Sequence, residues 1–110
     1  LIPETCSYCI DMTAEFADIG VGGVEGQPGW NTLIVRTPRG QELIEEAQKD
    51  GWLIVEELPE ENLAHLRFAA GNKKRRALIR GKDKGYVNTP EGHGMAMVRI
   101  NPAVINEITA

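Results

Sequence analysis

Asn31-Thr32-Leu33-Ile34-Val35-Arg36-Thr37-Pro38-Arg39-Gly40-Gln41-Glu42-Leu43-Ile44-Glu45-Glu46-Ala47-Gln48-Lys49-Asp50-Gly51-Trp52-Leu53-Ile54-Val55-Glu56 is the stretch from which the fold is read. Its first six residues are short, β-branched and mostly apolar, the pattern of a central strand. Thr37-Pro38 then opens a helix, a hydroxyl cap followed by proline at the first helical position. Leu43, Ile44 and Ala47 fall on one face and Glu45, Glu46, Gln48 and Lys49 on the other. Gly51 ends the helix as a left-handed cap. Trp52-Leu53-Ile54-Val55-Glu56 reads as a second buried strand. Strand, helix and strand in this order predict a right-handed β-α-β unit over residues 31–57, with its two strands parallel.

On the N-terminal side, Leu1 to Thr5 reads as a linker, and Pro3 disfavours a helix across Ile2. Ala17 to Gly22 forms a short strand weakened by glycine, with Ile19 and Val21 on one face. Gly22-Gly23, Gly26 and Pro28-Gly29 make a turn region that brings this strand antiparallel to the next. On the C-terminal side, Pro59-Glu60-Glu61 begins a helix with acids in its first turn and Leu63, Leu66 and Ala70 inward. Gly71-Asn72 interrupts it, and a basic helix runs from Lys73 to about Gly81. From Asp83 the chain is irregular, with a late edge strand expected at Met95 to Ile100. The expectation is an α/β domain (α+β is the near alternative). It has a small mixed sheet of three to four strands and two or three covering helices, as a single domain over residues 1–110.

The 110 residues, 42% of them hydrophobic, supply one core and not two. The sequence starts at Leu1 without methionine, as a fragment or processed product would. No run approaches the length of a membrane span, and the first residues lack the basic-then-apolar order of a signal peptide. Two cysteines and no export signal favour a reducing, cytoplasmic interior. Seven of the twelve basic residues lie between positions 73 and 84, where Asp83 is the one acid, within a chain of net charge −4. The overall acidity argues against a general nucleic-acid binder.

The cysteines, Cys6 and Cys9, stand two residues apart in Cys6-Ser7-Tyr8-Cys9-Ile10-Asp11. Two thiolates at that spacing chelate one soft metal centre, because a short loop or single turn lets both sulfurs face the same way. They are half of a four-ligand site: no second C-x-x-C exists, and neither His65 nor His93 stands at zinc-finger spacing. The pair is a disulfide, a redox dithiol or half of a metal site completed from elsewhere. Gly20, Gly22 and Gly23 allow close backbone approach to a planar ring or phosphate, although G-x-G-G is not the dinucleotide fingerprint. Asp11, Glu15 and Asp18 are either acids capping a loop or carboxylates beside a cofactor. Lys73, Lys74, Arg75 and Arg76 are a solvated helix face, a phosphate site or a docking surface. His65 reads as structural, His93 as an exposed loop residue, and Trp30 and Trp52 as core or edge residues at strand starts.

Taken together, Cys6-x-x-Cys9-x-Asp11, Ala14-Glu15-Phe16-Ala17-Asp18-Ile19-Gly20-Val21-Gly22-Gly23, Gly29-Trp30-Asn31, Val35-Arg36-Thr37 and Gly40 form a combined motif. It resembles the C-terminal half of the beta subunit of the deazaflavin (coenzyme F-420) hydrogenase/dehydrogenase family, from Cys6 to about Gly51. The resemblance implies a fragment of a larger flavin and iron–sulfur subunit of an oxidoreductase. In that subunit hydride passes between coenzyme F-420 and FAD, and single electrons pass to a 4Fe–4S cluster. It implies Cys6 and Cys9 as cluster ligands. Asp18, Gly20, Gly22 and Gly23 would lie at the flavin, and Lys73, Lys74, Arg75 and Arg76 would hold cofactor phosphate. No residue of this chain is assigned a catalytic role. The implied partners are the other subunits of a hydrogenase or dehydrogenase complex. Full-length members carry further cysteines and much of the flavin site upstream of this region, so the chain alone is expected to be inactive. The competing expectation is a non-catalytic module that docks an acidic subunit through its basic helix.

Overall fold

The computed structural model describes residues 2–87 and 100–110. A 3-10 turn, Glu4–Tyr8, precedes strands β1 (Ile19–Gly23) and β2 (Asn31–Val35). Helices α1 (Pro38–Lys49), α2 (Glu60–Asp83) and α3 (Pro102–Thr109) follow. The chain forms two compact units, one of Thr13–Phe68 and one of Leu1–Met12 with Ala69–Ala110.

In the first unit β1 and β2 pair antiparallel, as the turn-rich segment between them requires, with Ile19 opposite Val35, Val21 opposite Leu33 and Gly23 opposite Asn31. Gly26 and Gly29 turn the chain at φ +74° and +84°, a region in which a Cβ would be strained. Beyond the ladder, the Arg36 N–H donates to the Asp18 carbonyl at 2.9 Å. The buried Thr32 hydroxyl donates to the Gly23 carbonyl at 3.3 Å. β2 is therefore not a central strand; among the described residues the sheet has two strands, and both are edges.

Helix α1 starts and ends as its sequence dictates. Thr37 Oγ1 accepts from the Gly40 N–H at 3.1 Å, with Pro38 in the first position. At the other end Gly51 takes φ +78°. Its N–H donates to the Gln48 carbonyl and that of Trp52 to the Ala47 carbonyl, the paired bonds of a Schellman motif. The face that packs is the expected one only in part, however. Gly40 and Ile44 are buried and Ala47 is half-buried, whereas Leu43 is 58% exposed. Residues 40, 44 and 47 follow the i, i+4, i+7 spacing of one stripe, and Leu43 lies about 100° round the helix from Ile44.

The expected second strand is absent. From Leu53 to Pro59 the chain makes no ladder, and Trp52 and Ile54 are 82% and 78% exposed. The parallel pair and the β-α-β unit go with it, and among the described residues the sheet has two strands where three to four were expected. Strand preference expresses fit to a pleated, half-buried surface, and among the described residues no neighbouring strand provides one. Trp30, 44% exposed, is likewise no core residue.

In the second unit the core is Leu78, Val87 and Ile105, with Ile10, Ile100 and Ile108 packed against it. Tyr8 meets Tyr86 edge to face at 5.2 Å between ring centroids. Contrary to expectation, α2 is not interrupted at Gly71-Asn72 but runs unbroken for 24 residues. One interior glycine costs a helix only about 1 kcal/mol, less than breaking and recapping it would. It stops at Asp83, where Gly85 (φ +69°) and Tyr86 donate to the Lys82 and Gly81 carbonyls. Helix α3, in a stretch expected to be irregular, is capped by Asn101, whose Oδ1 accepts from the Ala103 N–H, with Pro102 in its first turn. Residues 95–99 of the expected late strand, and His93, lie outside the described residues; Ile100 is in no strand. Among the described residues no helix is long and apolar enough to cross a membrane.

Candidate functional site

Cys6 lies within the 3-10 turn and Cys9 caps its end, the Cys9 N–H donating to the Cys6 carbonyl at 3.4 Å. Side chains three apart in a 3-10 turn are nearly eclipsed, so this turn carries the two thiols on one side. Both are free; Cys6 is exposed, and Cys9, half-buried, donates its S–H to the Asp11 carbonyl at 3.2 Å. Such a pair can supply two of the ligands of one soft metal centre. Among the described residues no group of three or more His, Cys, Asp or Glu completes it.

The glycine-rich segment divides into two kinds of position. A Cβ on Gly20 would stand 2.8 Å from the Thr13 carbonyl oxygen, so this glycine is required by the chain's own packing. A Cβ on Gly22 or Gly23 would meet nothing within 4 Å, and neither residue has a positive φ. Among the described residues their backbone faces open space. Asp18 is exposed, and its carboxylate accepts from the Thr37 hydroxyl at 2.5 Å. Thr37 thus relays Asp18 to the N-terminus of α1, where negative charge is favoured.

Arg36, which sequence reasoning did not single out as a site residue, donates to the Thr13 carbonyl at 2.9 Å and to Thr13 Oγ1 at 2.8 Å. With Thr37 it clamps the loop before β1 to the end of β2. The Val35-Arg36-Thr37 match carried that signal without saying what the residues touch. The turn after β1 is held in the same way: the Asn62 amide donates to the Glu25 carbonyl at 2.8 Å, and His65 Nε2 stands 3.3 Å from Glu25 Oε2. His65 is structural in this sense, but on the surface and not in a core.

The basic residues sort by face of α2. Arg75 and Arg76 are exposed, and Lys73 and Lys74 are half-buried one turn before the buried Ala77 and Leu78. Cys6, Cys9 and Lys73 to Arg76 belong to one compact unit, and Asp18, Gly20, Gly22 and Gly23 to the other.

Comparison with known proteins gives these placements a family. Residues 1–61, more than half of the chain, match the family model that describes the C terminus of the beta subunit of coenzyme F420 hydrogenase/dehydrogenase. The matched part holds both cysteines and the whole hairpin; the basic segment lies outside it. An uncharacterised protein of Methanocaldococcus jannaschii is 40% identical over 52 residues, 47% of this chain and 20% of its own. The coenzyme F420 hydrogenase subunit beta of Methanococcus voltae is 40% identical over 50 residues, 46% of this chain and 18% of its own. The F420-dependent formate dehydrogenase subunit beta of Methanocaldococcus jannaschii is 30% identical over 64 residues, 58% of this chain and 17% of its own. The chain spans about a fifth of the length of these curated relatives. With its thiol turn, glycine-rich hairpin and capped helix inside the matched residues, the chain belongs to the coenzyme F420 hydrogenase/dehydrogenase beta subunit family, in the C-terminal part.

Proposed function

We propose that this chain is the C-terminal part of a longer beta subunit of a coenzyme F-420-linked oxidoreductase that works with other subunits of a hydrogenase or dehydrogenase complex. The observation that carries the reading is the family match over residues 1–61, within which the C-x-x-C turn with its two free thiols lies. Cys6 and Cys9 supply two of the four thiolates of a 4Fe–4S cluster, the others coming from elsewhere in the subunit. Gly22 and Gly23 present bare backbone to FAD, while Gly20 and Asp18 hold the hairpin and the α1 cap in place behind it. When bound, flavin and cluster together convert a two-electron hydride transfer into single-electron steps. The chain's own residues bind and orient these groups, and none of them moves the hydride. With two ligands only, the 110 residues alone hold no stable cluster.

The test is the visible spectrum and iron content of the full-length protein purified without oxygen, set beside those of Cys6→Ser and Cys9→Ser. Iron should fall in both variants. Full iron in both would remove these cysteines from the ligand set.

A second reading has its own observation: Arg75, Arg76 and Arg80 are exposed on α2, outside the family match. It makes α2 the docking face for an acidic subunit, with loss of assembly and unchanged cofactor content on charge removal.

A further inference from the structure

Trp52-Leu53-Ile54-Val55-Glu56-Glu57-Leu58 has the apolar, β-branched composition of a strand but, among the described residues, no strand partner. Trp52 and Ile54, two apart and so on one face of any strand, are 82% and 78% exposed, and Val55 is 42% exposed. Three large apolar side chains within four residues, left in water, mark a surface meant to be covered. The unpaired backbone offers the second half of the same signal, because a strand-forming segment with free N–H and C=O groups is a template for another strand.

We infer that residues 53–58 add as a strand to the edge of a β-sheet built by the remainder of the same subunit, with Trp52 and Ile54 packed on that sheet. The inference rests on the proposed reading only in taking the chain as part of a longer subunit. Two observations commit the occupant. First, the matched stretch makes up only about a fifth of each relative, so most of the polypeptide able to supply a sheet lies outside it. Second, the family match runs to residue 61 and includes the whole segment. What covers it then belongs to the polypeptide the family shares, more naturally than to a partner peculiar to one complex. The hairpin points the same way. An isolated two-stranded sheet is marginal in water, and β1 and β2 each keep one edge unpaired among the described residues.

The experiment is amide hydrogen exchange on the full-length subunit, with residues 53–58 read against the rates of an unstructured peptide of the same sequence. The expected result is exchange slowed by about a hundredfold or more at alternate amides at least, in the subunit purified by itself. Unprotected rates across 53–58 overturn the inference. So does protection that appears only in the assembled complex, which would assign the segment to a partner. Protection that rises with protein concentration overturns it as well, since that would assign a second copy. Iron and flavin are measured on the same sample. Protection without iron keeps the strand and defeats the cluster assignment, and iron without protection does the reverse.

Discussion

A methyl group added at Gly40 would sit 2.5 Å from the Asp18 carbonyl oxygen and 3.1 Å from Ile19 Cγ1, whereas one added at Gly22 would touch nothing. The two positions therefore separate packing from ligand approach. Gly40→Ala should destabilise the fold by about 1–3 kcal/mol, the usual range for overpacking, read as a lower urea midpoint. Gly22→Ala should leave that midpoint within about 0.5 kcal/mol yet weaken flavin binding, because the new methyl would stand between the backbone and the flavin proposed to lie on it. Unchanged flavin affinity would return Gly22 to an ordinary turn-flanking residue. Thr37 is tested by the same melts. Thr37→Ala removes the acceptor for Gly40 N–H and the donor to Asp18, at a cost of about 1 kcal/mol, and Thr37→Ser should recover most of it.

At the scale of elements, α1 and α2 end in the same way, with a left-handed glycine and two backward hydrogen bonds, and differ in what lies inside them. Gly51 holds φ +78°, so Gly51→Ala should cost about 1–2 kcal/mol. Gly71 lies inside continuous helix with open space at its Cα. Gly71→Ala should therefore stabilise α2 by about 0.5–1 kcal/mol. A destabilised variant would mean that the chain bends or breaks at Gly71 in solution. The 3-10 turn, by contrast, buries none of its residues. Its cysteines sit on an element whose local stability is low, which suits thiols whose geometry is completed by a bound group.

For the whole molecule, the basic segment is where the two functional readings part. A phosphate held by charge-assisted bonds loses about 1.5–3 kcal/mol per contact removed, roughly ten- to a hundredfold in affinity. Lys73→Gln, Lys74→Gln, Arg75→Gln and Arg76→Gln are therefore titrated with FAD and coenzyme F-420 in the intact subunit at two salt concentrations. Arg75 and Arg76, being exposed, should account for any loss, and higher salt should reduce it. Parent-like affinity in all four variants, together with failed assembly in the arginine pair, would decide for subunit docking.

Local signals in the sequence determined much of this chain. The Thr37-Pro38 start and Gly51 stop of α1, the glycine turns between antiparallel β1 and β2, and the C-x-x-C turn each depend on residues within a few positions of one another. The family was legible because its motif is also a local string. Only the tertiary structure decided which stripe of α1 is buried, since that depends on Gly40 admitting the Asp18 backbone and not on Leu43 being apolar. It decided that Gly71 does not break α2, where continuity outweighs a propensity cost of about 1 kcal/mol. It also decided that Trp52 to Glu56, apolar and β-branched, is not a strand in these 110 residues. Strand formation needs a second chain segment at hydrogen-bonding distance, and no property of the segment itself can provide it.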